Sequence, residues 1–254
     1  MFTKEEIDRI IKTQLAWELN CTPEDFSGEE TLITTAFPHE KRRIFSNELP
    51  LLQMVTFGNN AVISADERLH AWLREWIKGK KGFWLFGPQN YFELEKELGN
   101  YECRMASPHH MFYPKPEFME IRTDLKIRWL EQDDIQAYYG REEFSNALCD
   151  RFHPERPDVL AVIALDGEQI MGMAGCSADS PEMWQIGIDV CPAYQGMGVA
   201  KTLVSLLKDE IFRRGAIPYY GTSLSNIRSK RTALSCGFVP TWIETLSEPV
   251  HYEK

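Results

Sequence analysis

The residues best suited to chemistry lie between Cys191 and Ala200, a stretch reading Cys-Pro-Ala-Tyr-Gln-Gly-Met-Gly-Val-Ala. Gly196, Gly198 and Ala200 are small and closely spaced. They precede a helical run to about residue 214 that carries Val199, Leu203, Val204, Leu207 and Ile211 on one face. Gly215 stands at its stop, and Arg213 and Arg214 complement the negative end of the helix dipole. A strand that turns tightly into such a helix aims backbone N–H groups outward, and the dipole adds roughly half a positive charge there. Small side chains let a bulky diphosphate approach that backbone closely. The loop is therefore expected to cradle a pyrophosphate. Two other readings fit its composition. Turn glycines are often only structural. A dinucleotide-binding loop is disfavoured because Lys201 stands where the third glycine of GxGxxG belongs, and no GK[ST] follows for a triphosphate loop. Pattern alone leaves the choice open.

The elements that must position this loop have a clear rhythm. Residues 125–130 read as a strand and 132–139 as a helix with acidic residues at its start. Residues 159–165 form an apolar run ending at Asp166-Gly167, a hairpin signal, with 169–178 as the partner strand and 183–190 as the next. Consecutive antiparallel strands are expected. Upstream, Thr3 and Glu6 have capping-box spacing ahead of a stripe of Ile7, Ile10, Ile11, Leu15 and Leu19. Residues 51–57 and 60–64 flank Gly58-Asn59 as a hairpin. Asp66 caps a helix with Leu69, Trp72, Leu73, Trp76 and Ile77, residues 82–86 read as a short buried strand, and a helix follows over 89–98. Pro108, Pro114 and Pro116 would interrupt any helix or central strand, so the domain boundary is placed there. The expected division is an N-terminal α/β domain over 1–118, on the acceptor side or structural, and a second domain over 119–254.

Bulk composition narrows the function classes. The 254 residues carry a net charge of −10, divided evenly: 14 Lys+Arg against 18 Asp+Glu in 1–118, and 14 against 20 in 119–254. An evenly acidic chain is a poor match for nucleic acid or anionic membranes and fits a cationic substrate better. No apolar run approaches the ~20 residues needed to span a bilayer, and no signal peptide is visible, so a cytoplasmic location is expected. The six cysteines are scattered without a CxxC pair, which argues for reduced thiols and no zinc knuckle. Cys191 and Cys236 lie near the loop but have no histidine close in sequence, and buried thiols are expected there. His109-His110 lacks further metal ligands in pattern. Trp72, Trp76, Phe83 and Trp84 are expected in the core.

Ile188-x-Val190-x-Pro192-x-x-Gln195-Gly196-Met197-Gly198-Val199-Ala200 resembles the GNAT acetyltransferase pattern of strand, Val-x-Pro, then (Arg/Gln)-x-x-Gly-x-(Gly/Ala). A second block, Ser225-Asn226-Ile227-Arg228-Ser229 followed by Cys236-Gly237-Phe238, resembles that family's Asn-x-x-(Ala/Ser) … Gly-Phe segment. The resemblance spans about residues 121–246, and the N-terminal extension is similar to that of the zwittermicin-resistance-like subgroup. It implies a mixed, mostly antiparallel sheet flanked by helices, with the N-terminal α/β domain added. It implies that the N–H groups of 195–200 hold the pyrophosphate of acetyl-CoA, that the backbone of Ile188 and Val190 meets the pantetheine arm, and that Asn226 and Ser229 face CoA. Arg228, Lys230 and Arg231 are candidates for its 3′-phosphate.

The activity implied is transfer of an acetyl group from acetyl-CoA to a small amine, with no metal and no covalent enzyme intermediate. A homodimer is compatible with it. Asp189 and Glu182 are the candidate carboxylates for removing the amine proton. One departure matters: Ala233 stands where many members carry a tyrosine that protonates the leaving thiolate, and Tyr219, Tyr220 or water are candidate substitutes. A protein that binds acyl-CoA without turning it over is the alternative this substitution favours.

Overall fold

The structure, a computed structural model, describes residues 2–45, 48–118, 121 and 123–250. Helix α1 (Lys4–Leu19) starts as its capping box dictates. The Glu6 N–H donates to Thr3 Oγ1 at 3.1 Å, and the Thr3 N–H donates to the Glu6 carboxylate at 2.7 Å. Strand β1 (Leu32–Thr35) leads to the β2 (Leu52–Thr56) and β3 (Val62–Ala65) hairpin, which turns through Gly58 at φ 106°. Helices α2 (Glu67–Trp76) and α3 (Pro88–Leu98) follow, then β4 (Cys103–Met105) and β5 (His109–Pro114).

The later part runs β6 (Lys126–Glu131), α4 (Gln132–Ile135), β7 (Asp158–Asp166), β8 (Gln169–Ala178), β9 (Met183–Val190) and α5 (Val199–Arg213). It ends with β10 (Ile217–Ser223), α6 (Ile227–Ser235) and β11 (Phe238–Pro249). One mixed, mostly antiparallel sheet carries all of these strands, in the order β1-β3-β2-β11-β5-β10-β9-β8-β7-β6, with β4 on β11. Only β1–β3 and β9–β10 pair in parallel among the described residues.

Three expectations are corrected. Residues Gly82–Phe86 form a 3-10 helix rather than a strand. Its three-residue period buries Gly82 and Leu85 and leaves Phe83 and Trp84 exposed at 41% and 60%, so these two aromatics are not core. A side chain at Gly82 would begin 2.3 Å from the Ala61 backbone, which explains the glycine. Second, the prolines do not keep the segment around 108–118 out of the sheet's centre. Strand β5 lies between β10 and β11 and pairs with both. Pro108 precedes the strand and Pro114 closes it, places where a missing N–H costs little. The expected helix over 132–139 is a single α-turn continued by a 3-10 turn at Gln136–Tyr138.

The sheet divides the molecule into layers. On one face α5 and α6 pack against β7–β10 through Leu203, Val204, Leu207, Ile211, Ile186, Tyr220 and Phe238. On the other, α1 lays Ile7, Ile11 and Leu15 against Val55, Met111, Tyr219 and Trp242. The sheet therefore runs across position 118 without a break, because β11 pairs with β2 of the N-terminal part and with β5.

Candidate active site

The site forms where two parallel strands part. β9 and β10 pair from Met183↔Ile217 to Ile186↔Tyr220, and no pairing joins them further on. β9 nevertheless continues to Val190. The edge of residues 187–190 that faces β10 thus keeps backbone groups free for a ligand. Beyond Val190 the chain is tied to β8 by the Cys191 N–H to the Met171 carbonyl (2.9 Å), and Tyr194 anchors the turn by its hydroxyl to Asp166 and Gln169 at 3.2 and 3.1 Å. Gly196 and Gly198 both take φ of 81°, a region that disfavours any side chain, and a Cβ at either would meet open space. Gly198 caps α5 without a side chain, and the N–H groups of residues 196–201 meet no protein acceptor among the described residues. Together with the α5 dipole these unspent donors concentrate partial positive charge at the loop.

Other predicted residues converge on this place. Gln195 donates to the Val190 carbonyl at 3.3 Å and accepts from the Arg228 guanidinium. Asn226 caps α6, its Oδ1 accepting the Ser229 N–H at 3.0 Å. A cleft of about 900 Å³ is lined by Ile188, Val190, Gln195, Gly196, Gly198, Val199, Ala200, Asn226 and Ser229, and also by Lys201 and Arg228. Met197 stands beside it, 63% exposed. Lys230 turns back to the Leu224 carbonyl at 2.9 Å.

Neither carboxylate proposed as base is on the cleft wall. Asp189 accepts three hydrogen bonds from the chain above it: Asn146 N–H (2.8 Å), Asn146 Nδ2 (2.7 Å) and Ala147 N–H (2.9 Å). It pins residues 145–148 across the sheet, where Gly175 and Gly187 leave room: a Cβ at Gly187 would fall 1.8 Å from the Asn146 carbonyl oxygen. Glu182 is exposed ahead of β9, at the end remote from the loop.

Sequence reasoning missed the other end of the cleft. Asp158, Ser177, Gln185, Arg156, His153 and His109 line it. Beneath them, the Asp179 carboxylate accepts from the Tyr219 hydroxyl and from Ser177 Oγ (2.6 Å). Arg43, 2% exposed, bridges Glu18 and Glu244 at 2.7 and 2.9 Å and donates to Tyr219 at 3.3 Å. Burial pushes the Asp158 and Asp179 carboxyls up from their usual range. The only sequence signal for these acids was their place at strand ends.

Tyr220 and Tyr219 part to opposite faces, as neighbours in a strand must. Tyr220 lines the cleft at the last β9–β10 pair, its hydroxyl 2.8 Å from Ser229 Oγ, and burial pushes its phenol up to about 12. Ala233 is wholly buried in the same cluster of packed side chains as Tyr220. The cysteines nearest the loop are spent locally. Cys191 Sγ donates to the Ile170 carbonyl at 3.3 Å and Cys236 Sγ to the Lys201 carbonyl at 3.5 Å, and burial pushes both thiols up.

Residues 124–238 match the acetyltransferase (GNAT) family model, a stretch running from just before β6 to the first residue of β11 and holding both motifs. The match covers just under half of the chain. No curated protein matches the sequence. Among solved structures, a GNAT-family protein from Novosphingobium aromaticivorans is 16% identical over 57% of this chain and 66% of its own, just under two thirds of its length, with a TM-score of 0.46. A GCN5-related N-acetyltransferase-like protein from Streptococcus suis is 17% identical over 78% of this chain and 82% of its own, with a TM-score of 0.49. The protein yncA from Salmonella typhimurium, solved with its cofactor acetyl-CoA, is 18% identical over 52% and 96%, with a TM-score of 0.37.

Proposed function

We propose that the protein is an N-acetyltransferase that moves an acetyl group from acetyl-CoA to a primary amine by direct attack in a ternary complex. The observation that carries this reading is the parting of β9 from β10 immediately ahead of a loop of unspent N–H groups at a helix N-terminus. In this reading the pyrophosphate lies against residues 195–200, with Lys201 and Arg228 as nearby cations, and Asn226 and Ser229 border the arm. The backbone of Ile188 and Val190 meets the pantetheine.

The amine nitrogen bonds to the thioester carbonyl carbon, the C–S bond breaks, and free N–H groups of β9 hold the oxyanion in between. Placing the amine against an already activated thioester supplies most of the acceleration. Water in the open cleft takes the acceptor's proton. Asp189 acts as a positioning residue that holds residues 145–148 over the acceptor side. Tyr220, kept protonated by burial, donates a hydrogen bond to the departing sulfur in the role left empty at Ala233. Helix α1 and the segment holding Arg43 and Phe45 cover the acceptor side, where Phe45 stacks on Arg156 at 5.2 Å.

The second reading is a protein that keeps acyl-CoA bound without turnover, and buried Ala233 is the feature that favours it. Titration calorimetry with acetyl-CoA, followed by thiol release against a panel of amines, separates the two. Gly198→Trp, which forces a bulky residue to positive φ in the cradle, should weaken acetyl-CoA binding at least about 100-fold, ~2.7 kcal/mol. Unchanged affinity in that variant would refute the cradle. Binding to the wild type without release by any amine would select the second reading.

A further inference from the structure

The end of the cleft remote from the loop is built around Asp158, which is 2% exposed and yet lines the cavity. It opens β7, and register sets it level with Ser177 on β8 and Gln185 on β9. Residues level in register share a sheet face, and all three border the cleft. Asp158 Oδ2 accepts the Cys149 N–H at 3.0 Å, and the Tyr139 hydroxyl lies beside the carboxylate.

The charges facing this group do not balance. Two guanidiniums face four shielded carboxylates: Arg156 attracts Asp158 but stands 3.6 Å from Asp179 and lies over Phe45, while Arg43 attracts Asp179 and is ion-paired to Glu18 and Glu244. The other titratable groups nearby, Tyr139, Cys149 and Cys176, are themselves raised by burial and stay neutral. Burial pushes the Asp158 carboxyl up, and the Cys149 N–H and Arg156 offset this only in part. A desolvated carboxylate in that position gains most from a cation that brings its own N–H donors.

Distance decides which cation. β7 lies two strands from β9, roughly 10 Å, and the open edge of β9 is on the far side again. Asp158 is out of hydrogen-bond reach of an amine attacking there. We propose that Asp158 anchors a second protonated nitrogen of the acceptor, so that the acceptor class is an aliphatic diamine or polyamine; this rests on the acyl-transfer reading above.

The test titrates hexamethylenediamine and hexylamine into the full-length protein by calorimetry, with and without saturating CoA. The diamine is expected to bind at least about tenfold tighter than the monoamine. That advantage should shrink as pH falls through the Asp158 titration range, where the anchor becomes neutral. It should vanish in Asp158→Asn with CoA affinity unchanged. Equal binding of the two amines to the wild type overturns the proposal whether or not the variant folds. So does an advantage that survives in a folded Asp158→Asn protein, or tighter binding of γ-aminobutyrate, which would assign Arg156 an anion instead. Diamine binding without CoA binding would sink acyl transfer and leave the cation subsite standing. CoA binding with equal amine affinities would do the reverse.

Discussion

At the residue scale the site depends on a few side chains whose hydrogen bonds are already committed and a few whose bonds are free. Asp189 is of the first kind. An amide at that position presents one accepting oxygen to three donors, so Asp189→Asn leaves at least one N–H of Asn146 or Ala147 without a partner. The expected loss is about 1–3 kcal/mol in urea unfolding. The acceptor KM should rise while acetyl-CoA affinity holds. Undiminished stability would show that the 145–148 segment is held by other contacts.

Tyr220 is of the second kind: among the described residues its hydroxyl meets only Ser229 Oγ, and with Ser229 as donor the phenol hydrogen is left for the cleft. Tyr220→Phe should lower kcat by about 10²-fold, the low end of acid–base contributions, with the acetyl-CoA KM unchanged. With the phenol near 12, wild-type kcat should show no decline from this group as pH rises toward 10. The donor is lost only where the phenol ionises. A kcat unaffected by the substitution would leave the thiolate to water.

At the scale of elements, the parting of β9 from β10 is the feature on which everything else turns. Helix α5 packs against β8 and β9, and Asn226, just past the end of β10, caps α6. The N-terminal elements are joined to this frame by charge as well as by strand pairing. Arg43 carries Glu18 of α1 and Glu244 of β11 on one guanidinium, all three well shielded from water. Removing one member of such a set strands the others as buried charges. Arg43→Met should cost ~3–5 kcal/mol, read by denaturant unfolding. A loss well below that range would mean that the two glutamates are solvated once the arginine is gone.

At the scale of the whole molecule, the contrast between what could be read and what could not has a physical cause. Local patterns were legible. The capping box of α1, the Gly58 hairpin, the β7–β8 hairpin at Asp166-Gly167, the glycine loop and the Asn226 cap each depend on residues close in sequence, and each lies where its pattern places it. The exceptions show the limit. Residues 82–86 are apolar enough for a strand but form a 3-10 helix, with Gly82 packed against the backbone of residues 60 and 61. The prolines of 108–118 argued against a central strand there, yet β5 fits between β10 and β11 because Pro108 precedes the strand and Pro114 closes it.

By itself, then, the sequence determined the glycine loop, the helix behind it and the residues at its rim, because a loop of small residues feeding a helix is a local arrangement. Only the tertiary structure decided the other end of the cleft. Asp158 and Arg156, Asp179, Tyr219 and Arg43 come from four separate segments, and their charge, burial and direction exist only once the strands that carry them are laid side by side.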